Sequence, residues 1–322
     1  MKKLIIQIPC YNEEESLPVT LSFMPRELEG VDKVEWMVID DGSTDNTVKV
    51  ALENGVDHVV RHPKNMGLAI AFMTGLNECL KKNADIIVNT DADNQYDASC
   101  IKDLIRPIID GEAEYVIGAR PINETRHFSW IKKFLQKAGS WTVRFASNTD
   151  IPDAPSGFRA ISKSAAFKLN VFSDYTYTLE TIIQAGQKNI PITWVPVRTN
   201  EDLRPSRLVK SIPAYVRRSI LTILRIFVVY KAFRFFSMVG SVLLFAGLLL
   251  GVRFLFFFFS GEGEGHIQSL ILSAILIGMG FQTLMTAFVA DLLSVNRNLL
   301  EELQSYQRMQ TVGRFQNEND HV

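Results

Sequence analysis

Ala84-Asp85-Ile86-Ile87-Val88-Asn89-Thr90-Asp91-Ala92-Asp93-Asn94-Gln95-Tyr96-Asp97 joins an apolar, β-branched run to a polar loop carrying two aspartates one residue apart. Such a run fills a buried parallel strand covered on both faces. Asp91 and Asp93 therefore fall just past a strand's carboxyl end, the edge of an open α/β sheet where ligands bind. Two carboxylates there, with the Gln95 amide beside them, are hard oxygen ligands suited to Mg2+ or Mn2+, whose remaining positions can go to phosphate oxygens. An isolated pair of this kind is also ordinary turn chemistry, so the flanking chain has to decide.

Upstream, Leu4 to Ile8 reads as a strand closed by Pro9, and Val34 to Ile39 as a second, ending in Asp40-Asp41-Gly42-Ser43-Thr44-Asp45. Glu14 to Leu28 reads as a helix that contains Pro18, and His58 to Arg61 as a short strand. Gly67 opens a helix in which Leu68, Phe72, Leu76 and Leu80 recur every fourth residue. Downstream follow a helix at Ile101 to Ile109 and a strand at Tyr115 to Ala119. Strands alternating with helices over short connections predict an α/β fold: a mostly parallel sheet with helices on both faces. From Arg120 to Asn200 the pattern is less regular. Phe128 to Ala146 reads as helix, Gly157 to Ile161 as extended, and Tyr177 to Lys188 as helix. Ile190 to Val197 contains Pro191 and Pro196 and suits a sheet edge.

Beyond Ser211 the composition changes. Phe235 to Val252 is eighteen residues without a charge, and Ile267 to Ala290 is twenty-four. As a helix the second run spans roughly 36 Å, enough for a hydrocarbon core of about 30 Å. Eight basic residues and no acidic one lie between Leu203 and Arg234, the cytoplasmic flank expected of a membrane hairpin. Arg253, near the outer end of the first span, can snorkel to the headgroups. The expected division is a catalytic domain at 1–210, juxtamembrane amphipathic helices at 211–232, two transmembrane helices within 233–294 (about 233–259 and 267–291), and a cytoplasmic polar tail at 295–322, helical from Asn296 to Gln310 with its last dozen residues unstructured. Gly240, Gly247 and Gly251 suit close helix contact, which leaves a homo-oligomer open.

Lys and Arg total 34 against 35 Asp and Glu, so no global charge points to nucleic acid. Cys10, Cys79 and Cys100 are widely spaced and read as reduced thiols in a cytosolic domain. Gln7 and Pro9 interrupt the first apolar run too early for a signal peptide. The five histidines lack metal or catalytic spacing, and no Walker loop, G-x-S-x-G or G-x-G-x-x-G is present.

Three loops at strand ends converge on one crevice: Pro9 to Glu14, Asp40 to Ser43, and Asp91 to Gln95. Together they supply an aromatic ring for a base, carboxylates for base N–H groups or ribose hydroxyls, and a cation site for a diphosphate. Ile8-Pro9-Cys10-Tyr11-Asn12-Glu13-Glu14, Ile39-Asp40-Asp41-Gly42-Ser43-Thr44-Asp45, Asn65-x-Gly67 and Asp91-Ala92-Asp93-x-Gln95 resemble the ordered signatures of family 2 glycosyltransferases of the GT-A fold. Gly118-Ala119-Arg120 and Ser156-Gly157-Phe158-Arg159 are similar to the branch containing dolichyl-phosphate mannose synthase and bacterial polyprenyl-phosphate glycosyltransferases. The likeness covers roughly residues 4 to 210.

The resemblance implies roles. Pro9, Tyr11, Glu13, Asp41 and Asp91 would hold the nucleoside diphosphate of a UDP- or GDP-linked sugar. Asp91, Asp93 and Gln95 would hold Mg2+ or Mn2+. Arg120, Lys132, Arg204 and Arg207 would face the phosphate of a polyprenyl acceptor, undecaprenyl or dolichyl. Leu203-Arg204-Pro205-Ser206-Arg207 departs from the family's Arg-x-Gly-Glu-Ser-Lys, which shifts the arginine of that clamp. Asp153 is the candidate base or positioning group, and Glu180 either approaches the acceptor or serves its helix. The implied activity is inverting, metal-dependent transfer of one sugar at the cytoplasmic face of an inner or plasma membrane. The alternatives are a processive polysaccharide synthase, against which stand the missing Q-x-x-R-W stretch and the small number of spans, and an inactive tethered sugar-nucleotide binder.

Overall fold

The computed structural model describes residues 2–121, 140–171, 177–200, 217, 220–221, 224–226, 228–261 and 263–319. The first part of the chain runs β1 (Lys3–Cys10), α1 (Leu17–Phe23), β2 (Lys33–Asp40), α2 (Thr47–Glu53), β3 (His58–Arg61), α3 (Leu68–Lys81), β4 (Ile86–Asn89), α4 (Ile101–Ile109) and β5 (Tyr115–Ala119). Then come β6 (Arg159–Ser162), α5 (Lys163–Lys168), α6 (Tyr177–Gln187) and β7 (Ile192–Pro196). These strands form one seven-stranded sheet in the order β3-β2-β1-β4-β6-β5-β7. The mostly parallel α/β sheet is the predicted architecture, with β6 antiparallel to both its neighbours.

The buried side chains explain why these segments became strands. Leu4, Ile5, Ile6 and Ile8 of β1, and Met37, Val38 and Ile39 of β2, are all fully buried, as central strands with two covered faces require. Pro9 does not close β1, because pairing with β4 stops at Gln7↔Asn89 and no ladder partner there needs an N–H from Pro9. Helix α1 is shorter than the expected Glu14 to Leu28. Pro18 sits in its first turn, where no backbone N–H is needed, and Met24 is extended ahead of Pro25. The edge position foreseen for β7 holds, as it ends the strand order beside β5. Residues 140–147 are helical, while 128–139 of the expected Phe128 to Ala146 helix lie outside the described residues. All three cysteines are free and buried.

Strand direction decides where the site can be. β1 runs parallel to both its neighbours, β2 and β4, so the loops after Cys10, Asp40 and Asn89 leave the same edge. The antiparallel β6 delivers its leading segment, Asp153 to Phe158, to that edge, and Arg120 follows β5 there. The chain passes from β1 to one side of the sheet and from β4 to the other, which opens a crevice between them.

The chain divides into two compact units, residues 1–219 with 301–322, and residues 220–300. Two helices of the second are long and apolar enough to cross a membrane, α7 (Ala232–Phe259) and the leading part of α8 (Ile267–Asn319). Between them Gly280 approaches so closely that a Cβ would lie 2.7 Å from the Leu244 amide nitrogen. Ser273 donates to the Gly247 carbonyl at 2.6 Å. Gly240, Gly247 and Gly251 thus serve contact within the hairpin. In the expected juxtamembrane stretch, the described residues 217, 220, 221, 224–226 and 228–230 are helical.

The helix expected at Asn296 to Gln310 is part of α8, which runs unbroken to Asn319 where an unstructured end was expected, and its part beyond residue 300 packs within the first unit. Glu301, Ser305, Arg308 and Val312 recur at helical spacing on one face. Arg308 donates to the Leu169 carbonyl at 2.7 Å, to that of Ala166 at 3.0 Å and to Asn170 Oδ1 at 2.6 Å. Ser305 donates to the Phe167 carbonyl. Lys188 pairs with the buried Glu301 at 2.9 Å. These groups satisfy the carbonyls that the end of α5 leaves without helical partners.

Candidate active site

The loop after β1 and the loop after β2 are tied into one wall. The Asn12 amide donates to Ser43 Oγ and the Thr44 amide to Asn12 Oδ1, both at 2.9 Å. Asn12 can sit at φ 54° because Asn tolerates the left-handed region. Gly42, at φ +72°, passes so near the 64–65 peptide that a Cβ would stand 2.4 Å from the Lys64 carbonyl carbon. On this wall the Tyr11 ring is 41 % exposed, whereas Glu13 is buried and accepts from Ser16. Asp41 is buried and engaged: its carboxylate accepts from the Met66 and Gly67 amides at 2.9 and 2.8 Å and pairs with His62 at 2.8 Å.

The opposite wall begins with the loop after β4. Asp91 lies here, half-buried, and no hydrogen bond reaches its carboxylate among the described residues. Burial, with Asp93 alongside, pushes the Asp91 carboxyl up to about 7, against partial relief from Arg120 and Arg159. A carboxyl held so high beside a second one marks a place deficient in positive charge. Asp93 accepts from the Gln95 amide at 3.1 Å, and Asn94 takes the left-handed turn between them at φ 56°. Among the described residues no group of three His, Cys, Asp or Glu surrounds a cation position. The pair fits a hard divalent ion whose other ligands come from a bound phosphate or water.

Arg120, at the end of β5, closes the crevice. It forks onto Asp153, Nε to Oδ2 at 2.8 Å and Nη2 to Oδ1 at 3.1 Å, and its own amide reaches Oδ2 at 3.2 Å. Its Nη1 lies 3.5 Å from Gln95 Oε1, and its guanidinium 5.9 Å from the Tyr96 ring centre. Burial works against the Arg120 charge, but Tyr96, Asp153 and Asp91 outweigh it and raise its pKa. Asp153 is fully buried. Glu180 is buried in α6. Lys132, Arg204 and Arg207 lie outside the described residues.

Several residues that frame the crevice carried no assigned role in the sequence. Gln7, Asn89 and Arg159 stand in register across β1, β4 and β6. Gln7 Nε2 donates to Asn89 Oδ1 at 2.8 Å, and Asn89 Nδ2 donates to the Gly157 carbonyl at 2.8 Å and Tyr177 Oη at 3.0 Å. Tyr96 Oη accepts from the Gly157 amide at 3.0 Å. The wholly buried Arg159 donates to the Ser156 and Ala154 carbonyls at 2.7 and 2.9 Å, and to Thr181 and Tyr115. An amide side chain amid the apolar residues of β1 was the readable sign, since a buried polar group demands a partner.

Residues 5–170 match the family model described as glycosyl transferase family 2. The chain is similar to the UDP-N-acetylglucosamine–dolichyl-phosphate N-acetylglucosaminyltransferase of Methanococcus voltae, with 31% identity over 222 residues, 62% of this chain and 86% of that one. It is also similar to the polyprenol monophosphomannose synthase of Mycolicibacterium smegmatis, with 26% identity over 62% of this chain and 78% of that one. Among solved structures, glucosyl-3-phosphoglycerate synthase from Mycobacterium tuberculosis, in complex with Mn2+, UDP and glucosyl-3-phosphoglycerate, shares the fold. The TM-score is 0.53 at 20% identity, covering 69% of this chain and 80% of that one.

Proposed function

The chain belongs to glycosyl transferase family 2, and from that premise we propose that it moves a single sugar from a nucleoside-diphosphate donor to a polyprenyl phosphate at a membrane surface, with inversion. The observation that carries this reading is the Asp91 carboxylate, unengaged by hydrogen bonds among the described residues, beside Asp93 and within electrostatic reach of Arg120. That arrangement offers a cation position for a leaving diphosphate and a guanidinium for an attacking phosphate in one crevice. Support for the acceptor class comes from the two relatives, named for transfer to dolichyl phosphate and for polyprenol monophosphomannose synthesis.

In this reading Asp91 and Asp93 hold Mg2+ or Mn2+, with Gln95 alongside. When bound, such an ion supplies positive charge to the departing nucleoside diphosphate. Tyr11 stacks on the base, Pro9 and Glu13 line the nucleoside, and Asp41 shapes that pocket by fixing residues 62–67. Arg120 receives the acceptor phosphate, joined by Lys132, Arg204 and Arg207. A phosphate monoester has its second pKa at about 6, so the nucleophile is already ionised near neutral pH and needs no proton acceptor. Asp153, with both oxygens on Arg120, is assigned to aiming that guanidinium. Attack from the face opposite the diphosphate inverts the anomeric carbon.

The proposed membrane anchor is the pair α7 and the apolar part of α8, entered through the juxtamembrane stretch 211–232. Both flanks of residues 220–300 belong to the first unit, which suits two crossings with both ends on one side. The basic run from Arg204 to Arg234 favours the cytoplasmic side.

The test is incubation of the purified chain with Mn2+ or Mg2+, a panel of UDP- and GDP-linked sugars, and undecaprenyl or dolichyl phosphate, with products read by mass. One glycolipid carrying a single sugar is expected, abolished by EDTA and in Asp91→Ala and Asp93→Ala. A polymer, or turnover retained in both variants, would sink the reading.

A further inference from the structure

Gly157 follows Ser156 in the segment that β6 delivers to the crevice. Its φ is not positive, so backbone conformation does not explain a glycine there. Space does. A Cβ on residue 157 would lie 2.9 Å from Asp91 Oδ2, 3.1 Å from Oδ1 and 3.1 Å from Tyr177 Oη. The first distance is shorter than van der Waals packing permits, so one side of that contact would have to move.

The peptide cannot easily be the one. Three backbone polar groups around it are held: the Gly157 N–H by Tyr96 Oη at 3.0 Å, the Ser156 carbonyl by Arg159 at 2.7 Å, and, in the next peptide, the Gly157 carbonyl by Asn89 at 2.8 Å. Each holder is itself fixed. Tyr96 stacks on Phe158 at 5.0 Å between ring centres, Asn89 is gripped by Gln7 at 2.8 Å, and Arg159 is bound to Thr181 at 2.8 Å and to Tyr115. The Asp91 carboxylate, by contrast, has no hydrogen bond among the described residues to hold it. The peptide is the anvil and the carboxylate is the part that yields.

We propose that Gly157 is a positioning residue for Asp91: the clamped Ser156–Gly157 peptide forms a flat bed against which the carboxylate settles in its cation-binding orientation. Tyr96, Asn89 and Arg159 hold that bed from behind. The proposal rests on the assignment of Asp91 as a cation ligand made above. Preorganisation of this sort is what a two-carboxylate site needs when protein supplies so few ligands.

The experiment measures binding of Mn2+ alone to the full chain in detergent, from the decline of the free-ion electron paramagnetic resonance signal, together with the thermal midpoint. Gly157→Ala is expected to weaken Mn2+ binding at least tenfold at an unchanged midpoint. Adding Tyr96→Phe, which loosens the bed so that it can retreat from the new methyl, is expected to restore part of the loss. Wild-type affinity in Gly157→Ala overturns the proposal and leaves the Asp91 assignment intact. No Mn2+ binding by the wild type, or undiminished binding by Asp91→Asn, overturns both. Should Gly157→Ala fail to fold, Tyr96→Phe by itself carries the test: it adds no volume, a severalfold weakening is expected, and wild-type affinity refutes the idea.

Discussion

Replacing Asp153 with Asn keeps the side chain's shape and removes its charge, which separates the two roles open to this residue. The fork onto Arg120 uses two acceptors, at 2.8 and 3.1 Å, and an amide supplies one acceptor and presents a donor to a donor. A hydrogen bond to a charged group contributes about 1.5–3 kcal/mol, and breaking a buried pair from one side costs about 3–5 kcal/mol. Arg120 keeps its place over Tyr96 and is 17% exposed in its side chain, so the lower end applies, about 3 kcal/mol. For a unit of this size that corresponds to a fall of about 6–12 °C in thermal midpoint. Denaturant unfolding followed by tryptophan fluorescence would measure it, alongside Arg120→Met and the double variant Arg120→Met/Asp153→Asn. Removing both charges should recover much of the loss, giving a coupling of about 2 kcal/mol. In turnover, Asp153→Asn should raise the acceptor concentration for half-saturation more than it lowers kcat. A stability change below about 1 kcal/mol with kcat abolished would refute the positioning role and make Asp153 the base.

The carboxyl of Glu35 is opposed by burial, yet hydrogen bonds from Lys3, Lys33 and His58 outweigh it and bring its pKa down to about 2. Its stabilisation is therefore complete above the unfolded pKa, near 4.3, and is lost as pH falls from there through about 2. Glu35→Gln should melt lower than wild type at pH 7, with the difference vanishing toward pH 2 in a pH series of melts. Gly42→Ala forces an L side chain into φ +72° and against the Lys64 backbone, an expected loss of roughly 3 kcal/mol readable by denaturant unfolding. Arg308→Ala exposes no charge but orphans carbonyls at the end of α5. A loss of about 2 kcal/mol is expected by thermal melting, with Arg308→Lys recovering part of it.

Much of the sheet was legible because burial on both faces writes itself as unbroken apolar runs, as in Leu4 to Ile8 and Ile86 to Val88. The insertion of β6 between β4 and β5 was not, since an extended stretch at Arg159 carries no mark of its pairing partner or direction. In the crevice, residue type pointed to Asp91 and Asp93, and the family resemblance to Arg120. Residue type could not say that Asp41 is occupied by the Met66 and Gly67 amides, because those donors come from a loop 25 and 26 residues away. Helix α1 ended early for a local reason, the prolines at its two ends. The docking of Glu301, Ser305 and Arg308 escaped notice for the opposite reason: that face buries mainly polar groups, and polar burial leaves no hydrophobic stripe to read.

That docking makes the first unit discontinuous in the chain, with residues 220–300 interposed between its two pieces. A ribosome releases sequence in one direction, so the sheet can assemble while the carbonyls closing α5 still face water. Arg308 emerges only after both apolar helices have been synthesised. Completion of the first unit is thereby scheduled behind synthesis of the two apolar helices, and a nascent chain arrested between them would carry its sheet with the end of α5 still uncapped.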